Sequence, residues 1–178
     1  MSFASKNSGN QLKMLILSAV FGALLIAIQV VMGFLPNIEL VTTLLLVFAA
    51  VCGKYAYLSV YVFVLAEGLI YGFASWWISY IYIWLIPATV GILMRRCKNP
   101  IFPAAFSAIF GLLFGLLTAP PILLIEKHAV IPYLIANIPY DIFHCVGNAV
   151  LTALLYLPLK IALKKAIEKL QNKKEGSI

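Results

Sequence analysis

The chain has 178 residues, of which 63% are hydrophobic and only 11% charged, and a soluble domain of that make-up would have no surface to show water. Lipid is therefore the expected solvent. A net charge of +7 and a pI near 9.4 do not make the chain a nucleic-acid binder, because the basic residues sit in short loops and a tail beside the ends of apolar runs.

Those runs predict six helices, over residues 12–33, 40–52, 55–73, 77–94, 102–125 and 135–159, within one domain over 1–178. The first ten residues are polar and carry no signal-peptide pattern, so the leading helix is expected to be retained. That helix holds Ala19, Ala23 and Ala27 at spacings of four, with Ser18 and Gly22 in a second small row beside them. Small residues let another helix approach closely, whether one of this chain or one of a partner.

The second helix is short. About 13 residues at ~1.5 Å each reach ~20 Å, against a hydrocarbon core of ~30 Å. Counted as a crossing, it gives six spans with both termini cytoplasmic and leaves every Lys and Arg except Lys127 inside. Without it the charge bias is reversed, so six crossings are expected. The stretch 34–40 must then dip below the outer surface, and it carries Asn37 and Glu39.

Glu67 lies mid-helix in the third run, where a carboxylate costs on the order of 2.5–3.5 kcal/mol unless it finds a partner, a proton or water. It is either internal glue bonded to Asn148 or His144, or part of a ligand site. Tyr71 follows one turn later. In the fourth helix Trp77, Tyr80 and Trp84 are spaced three then four. Trp84 falls ~16 Å above Arg95, too deep for an interfacial belt, and stacking on a planar ligand is the sharper reading. In the fifth helix Gly111 and Gly115 mark internal packing, and Pro120 and Pro121 are expected to break it near the outer surface. A loop with Glu126, Lys127 and His128 follows. The sixth helix carries Asn137, Asp141, His144 and Asn148 at intervals of four, three and four, a polar seam on one face. Counting from Lys160, Asn148 lies ~18 Å up, the same level as Glu67 counted from Tyr55. Residues 160–178 form a basic tail on a helical extension, with anionic lipid as its neighbour.

Catalytic signatures are missing. The chain holds no HExxH, GxSxG or Walker A string and no paired histidines at metal spacing. Its three cysteines, Cys52, Cys97 and Cys145, indicate no disulfide framework. A chain that captures a solute on one side and carries no nucleotide motif needs a partner in order to pump.

Size, six helices, cytoplasmic termini, the short second helix and the alanine stripe resemble the substrate-binding S components of energy-coupling factor (ECF) vitamin transporters, over nearly the whole chain. Two strings are especially similar: Pro36-Asn37-Ile38-Glu39, and Ile138-Pro139-Tyr140-Asp141 through His144 to Gly147-Asn148. The resemblance implies a multi-pass protein of a bacterial cell membrane that captures a vitamin, while the coupling protein EcfT and two ATPases supply energy. It maps the EcfT contact onto Ala19, Ala23 and Ala27, and implies that the chain topples to carry its site inward. The loops after the first, third and fifth helices would close the pocket.

The expected substrate site comprises Asn37, Glu39, Glu67, Tyr71, Trp77, Tyr80, Trp84, Asp141, His144 and Asn148, with no metal or cofactor. Its carboxylates and aromatics suit a planar pyrimidine or pyridine vitamer, or cobalamin with its donor amides; the absence of basic residues weighs against an anionic ligand. Two other classes stay open: a small intramembrane enzyme with Glu67, Asp141 and His144 as acid and base groups, and a helix-packing subunit with no ligand.

Overall fold

The computed structural model describes residues 2–35 and 37–172, with side chains over 9–35 and 37–169. Pro36 of the connector, and residues 173–178 of the basic tail, lie outside the described residues. The described residues are all helical with no strand: α1 (Ser2–Met32), α2 (Val41–Cys52), α3 (Ala56–Tyr71), α4 (Ser75–Ile83), α5 (Leu85–Leu93), α6 (Ile101–Leu112), α7 (Phe114–Thr118), α8 (Pro120–Ile125) and α9 (Val130–Asn172). Single 3-10 turns cover Gly53–Tyr55, Met94–Arg96 and Lys127–Ala129.

Side-chain pairings fix the direction of each pass. Trp77 bonds Val64 and Tyr57 meets Thr89, so α4 and α5 run against α3. Ser79 donates to Thr118 while Trp84 packs on Phe110, so α6 and α7 run against them in turn. Thr152 meets Ser107 and Asp141 meets Gly115, so α9 is opposed to α6 and α7. Glu39 pairs with His144 and Thr43 with Thr152, so α2 runs with α9, while α1 runs with α3 through Ser18 to Ser59 and Gly22 to Val62. Six passes therefore alternate in direction.

By length and composition, Gly9–Met32, Val41–Tyr71, Ser75–Arg96 and Lys127–Lys169 are long and apolar enough to cross a membrane. Ile101–Leu112 and Phe114–Ile125, bent by 56°, make a fifth if they form one span. The stretch Val41–Tyr71 satisfies that criterion as one helix, yet it doubles back. Phe48 stacks on Phe21 at 4.0 Å between ring centroids, and the neighbouring Gly22 touches Val62, which a straight helix would hold ~20 Å from Phe48. The reversal occurs at Gly53, whose φ of 63° and ψ of −136° stop α2. Leu15, Val20, Leu69, Ile109, Phe143 and Val150 all face outward, the apolar exterior of a multi-pass membrane protein.

Several boundaries differ from expectation, and prolines account for two of the differences. The fourth run is broken at Trp84, because Pro87 has no N–H for the Ile83 carbonyl and its ring crowds that carbonyl. The fifth run bends at Leu113, before Pro120 and Pro121, which instead start α8 at positions where the missing N–H costs nothing. The last helix begins at Val130 and continues to Asn172, so the described part of the tail is ordered helix, and α1 starts ten residues early, at Ser2.

Close packing concentrates at glycines. A Cβ on Gly22 would lie 2.8 Å from the Ser59 carbonyl, on Gly91 2.7 Å from that of Leu46, and on Gly111 2.7 Å from the His144 backbone. Helices in lipid lack a hydrophobic drive to associate, and such backbone contact replaces it. Alternation also gathers Lys54, Arg95, Arg96, Lys98, Lys160, Lys164, Lys165 and Lys169 at one end of the bundle, and places Lys127 at the other.

Candidate functional site

At the Lys127 end, two adjoining clefts open between the helices. One, of about 230 Å³, lies under the connector from Gly33 to Leu40 and is walled by Glu39, Tyr80, Trp84, Phe114 and His144. The other, about 330 Å³, is bounded by Glu67, Tyr71 and Trp76. Gln29, Gly33 and Tyr80 border both.

Glu39 owes its place to the start of α2. The first N–H groups of a helix have no partner within it, and the Glu39 carboxylate accepts the Thr42 N–H at 2.9 Å and the Thr42 hydroxyl beside it. The connector turns into that position through Asn37, whose φ of 54° is a left-handed conformation that asparagine tolerates. Ile38 packs against Gly147 of α9. On the other side His144 Nε2 donates to Glu39 Oε1 at 3.1 Å, and both side chains are almost fully enclosed. Burial pushes the Glu39 carboxyl up, but the bonds from His144 and Thr42 outweigh it and hold the carboxyl below its ordinary value.

Trp84, at the break between α4 and α5, is 1% exposed, its indole packed among Phe63, Tyr80, Phe110 and Phe114 with centroids 5.5 to 6.0 Å away. Its ring is thus already packed, and the group left for a ligand is Nε1–H, which has no partner. The edge of His144 rests on Phe114 at 4.8 Å, and its Nδ1 is likewise unpartnered. Gln29 Oε1 and Glu67 Oε1 complete the set of unbonded buried atoms on cleft residues. Leaving such a group unsatisfied costs about 1–3 kcal/mol, so these four atoms are the groups a bound molecule would relieve.

The other expected site residues have different surroundings. Asp141 does not border either cleft. The bend at Leu113 frees the Gly115 N–H from its helical partner, and Asp141 Oδ1 accepts it at 3.0 Å, capping α7. Trp77 donates Nε1 to the Val64 carbonyl at 2.8 Å and packs edge-on against Phe73, away from both clefts. Asn148 lies deeper and fully buried, its amide nitrogen 3.5 Å from the Ser107 carbonyl, between the cleft and a ladder in which Thr43, Thr152 and Ser107 bond in series. Glu67, 3% exposed, bonds to neither Asn148 nor His144, so the alternative reading of it as internal glue is not what the structure holds, and His144 pairs with Glu39 instead. Tyr71 is exposed at the mouth. The polar seam itself faces inward: Asn137 and Asp141 pack on Gly115, His144 on Gly111, and Asn148 on Ser107.

Among the cleft residues not singled out from sequence are Gln29 and Phe114. A lone amide near the end of an apolar run was the available signal for the first; nothing marked the second among many phenylalanines. On α1, Ala19, Ala23 and Ala27 are exposed, whereas Ser18 and Gly22 meet α3, so the row that packs internally is the second one. Among the described residues, no group of three His, Cys, Asp or Glu could hold a metal ion. Comparison with protein-family models, with curated proteins and with solved structures finds no match for this chain.

Proposed function

We propose that this chain is the substrate-capture subunit of an ECF-type transporter of a bacterial cell membrane. It takes a vitamin or precursor from the outside and delivers it inward by toppling on EcfT and its two ATPases. The reading is carried by one observation: four unbonded buried polar atoms, on Gln29, Glu67, Trp84 and His144, border two joined clefts with aromatic walls. Charge supports the direction. The end that gathers the cations is the cytoplasmic one by the positive-inside rule, so six crossings leave both termini inside and the clefts open outward. The exposed stripe Ala19, Ala23 and Ala27 supplies a flat surface for EcfT.

Cleft size bears on the ligand. Clefts of about 230 and 330 Å³ suit a compact planar heterocycle better than the macrocycle of cobalamin. Two acceptors, Gln29 and Glu67, call for N–H or cationic donors on one edge of the ligand, and Trp84 Nε1–H calls for an acceptor on another. A pyrimidine or pyridine vitamer has both. Mass spectrometry of small molecules that copurify with the chain, followed by calorimetric titration of the compound found, tests this. Stoichiometric capture of such a heterocycle is expected; a purified chain that binds none would end the reading.

The Glu39–His144 pair favours a second reading, since a buried carboxylate holding an imidazole beside a cavity is also what general acid–base chemistry uses. Under it the purified chain alone would turn over a labelled substrate.

A further inference from the structure

The end of the bundle remote from the clefts holds a larger opening, about 680 Å³, between the end of α5 and the last turns of α9. Arg95, Arg96 and Lys98 border it from one side, Lys160 and Lys164 from the other, and Leu157 forms an apolar wall. Arg95, Arg96 and Lys98 are exposed and enter no ion pair among the described residues. Lys164 reaches Glu168 only at 3.9 Å, with both side chains open to solvent, a contact worth little. Lys160 is different. Its Nζ donates to the Cys97 carbonyl at 2.9 Å and to the Tyr156 hydroxyl at 3.3 Å, which ties α9 to the turn after α5 and holds the rim in place.

Like charges gathered round one opening repel each other, and among the described residues no carboxylate lines it to offset them. A cavity with a cationic rim, an apolar wall and a position at the end of membrane-capable helices fits a phosphate carried on a lipid: the phosphate meets the guanidinium and ammonium groups while the acyl chain lies along Leu157. We infer that this opening is a binding site for the headgroup phosphate of an anionic phospholipid. It does not depend on what the clefts bind.

The test is native mass spectrometry of the full chain from vesicles of phosphatidylcholine alone and of phosphatidylcholine mixed with phosphatidylglycerol, with Arg95→Gln/Arg96→Gln/Lys98→Gln and Lys54→Gln as variants. Lys54 is exposed at the same end and outside the opening, so it reports general surface charge. The native chain is expected to retain phosphatidylglycerol, with retention falling roughly fivefold for each cation neutralised in the opening and unchanged in Lys54→Gln. Equal loss in Lys54→Gln, or no loss in the triple variant, would overturn the site. A third arm adds inorganic phosphate to the phosphatidylglycerol sample. Displacement of the lipid by millimolar phosphate would overturn the lipid as occupant in favour of the free anion. The melting temperature of the triple variant in phosphatidylcholine shows that it folds.

Discussion

His144 on the last helix and Glu39 on the first connector, 105 positions apart, meet at 3.1 Å in the wall of the cleft under that connector. The pair joins the two strings that carry the family resemblance. Glu39→Gln and His144→Ala should each cost about 1–3 kcal/mol of stability, because each strands a buried polar partner. The double variant should lose less than the sum by at least ~0.5 kcal/mol, measured by denaturation in detergent. Strict additivity would mean the two side chains do not work as a unit.

Glu67 presents the opposite case. Its Oε1 bonds nothing, so Glu67→Gln should leave the melting temperature level or raised, while weakening ligand capture by about tenfold, ~1.4 kcal/mol. Calorimetry and thermal melts on the same sample separate the two effects. A variant that loses stability but keeps its affinity would make Glu67 a structural residue.

For Asp141 the expected loss is in the fold. Asp141→Ala removes the acceptor of the Gly115 N–H at the bend of α7 and should cost about 1–2 kcal/mol, with ligand affinity little changed once the folded fraction is taken into account. A large drop in affinity at full stability would bring Asp141 back among the ligand contacts.

Ala19→Trp and Ala23→Trp place a bulky ring on an exposed stripe that the described residues leave uncovered. Uptake by cells carrying the coupling protein and ATPases should fall to background, while ligand binding by the isolated variant stays intact. Normal uptake would move the docking face elsewhere.

Acid should loosen the connector. Burial raises the Glu39 carboxyl, the His144 and Thr42 bonds lower it further, and the net value lies below that of the unfolded chain. Its contribution is therefore complete above the ordinary carboxylate range and is lost as pH falls through the folded value. Subtracting the melting profile of Glu39→Gln from that of the native chain isolates this term. The difference should shrink on acidification, and a difference that grows would reverse the sign of the shift.

Positions of the apolar runs were readable because lipid-facing helices need unbroken apolar sequence, and the short second helix was visible as a run too brief to cross a core of ~30 Å. Its directional role followed from lysine placement and agrees with the alternating passes. The inward seam from Asn137 to Asn148 was visible in its spacing. Other features come from contacts that no periodicity encodes. Pairing of His144 with Glu39, in place of Glu67, depends on how far the connector folds back, which is set by Asn37 and the packing of Ile38 on Gly147. Helix rise placed Glu67 and Asn148 at one level but says nothing of azimuth, and they face different neighbours. Asp141 was read as a ligand group because the bend at Leu113, which supplies its N–H partner, leaves no mark on an apolar run.

Gly22 joins α1 to α3, Gly91 joins α5 to α2, and Gly111 with Gly115 joins α6 and α7 to α9, each with backbones in near contact. The bundle is thus three close-packed two-helix blades, and between blades the bonds run from side chains to side chains or to backbone carbonyls, as from Trp77 to Val64 and from Ser79 to Thr118. Gln29, Glu39, Tyr80, Phe114 and His144 come from all three blades and converge on one cleft. A molecule lodged there would touch all three blades at once, a keystone whose departure would remove a contact that all three share.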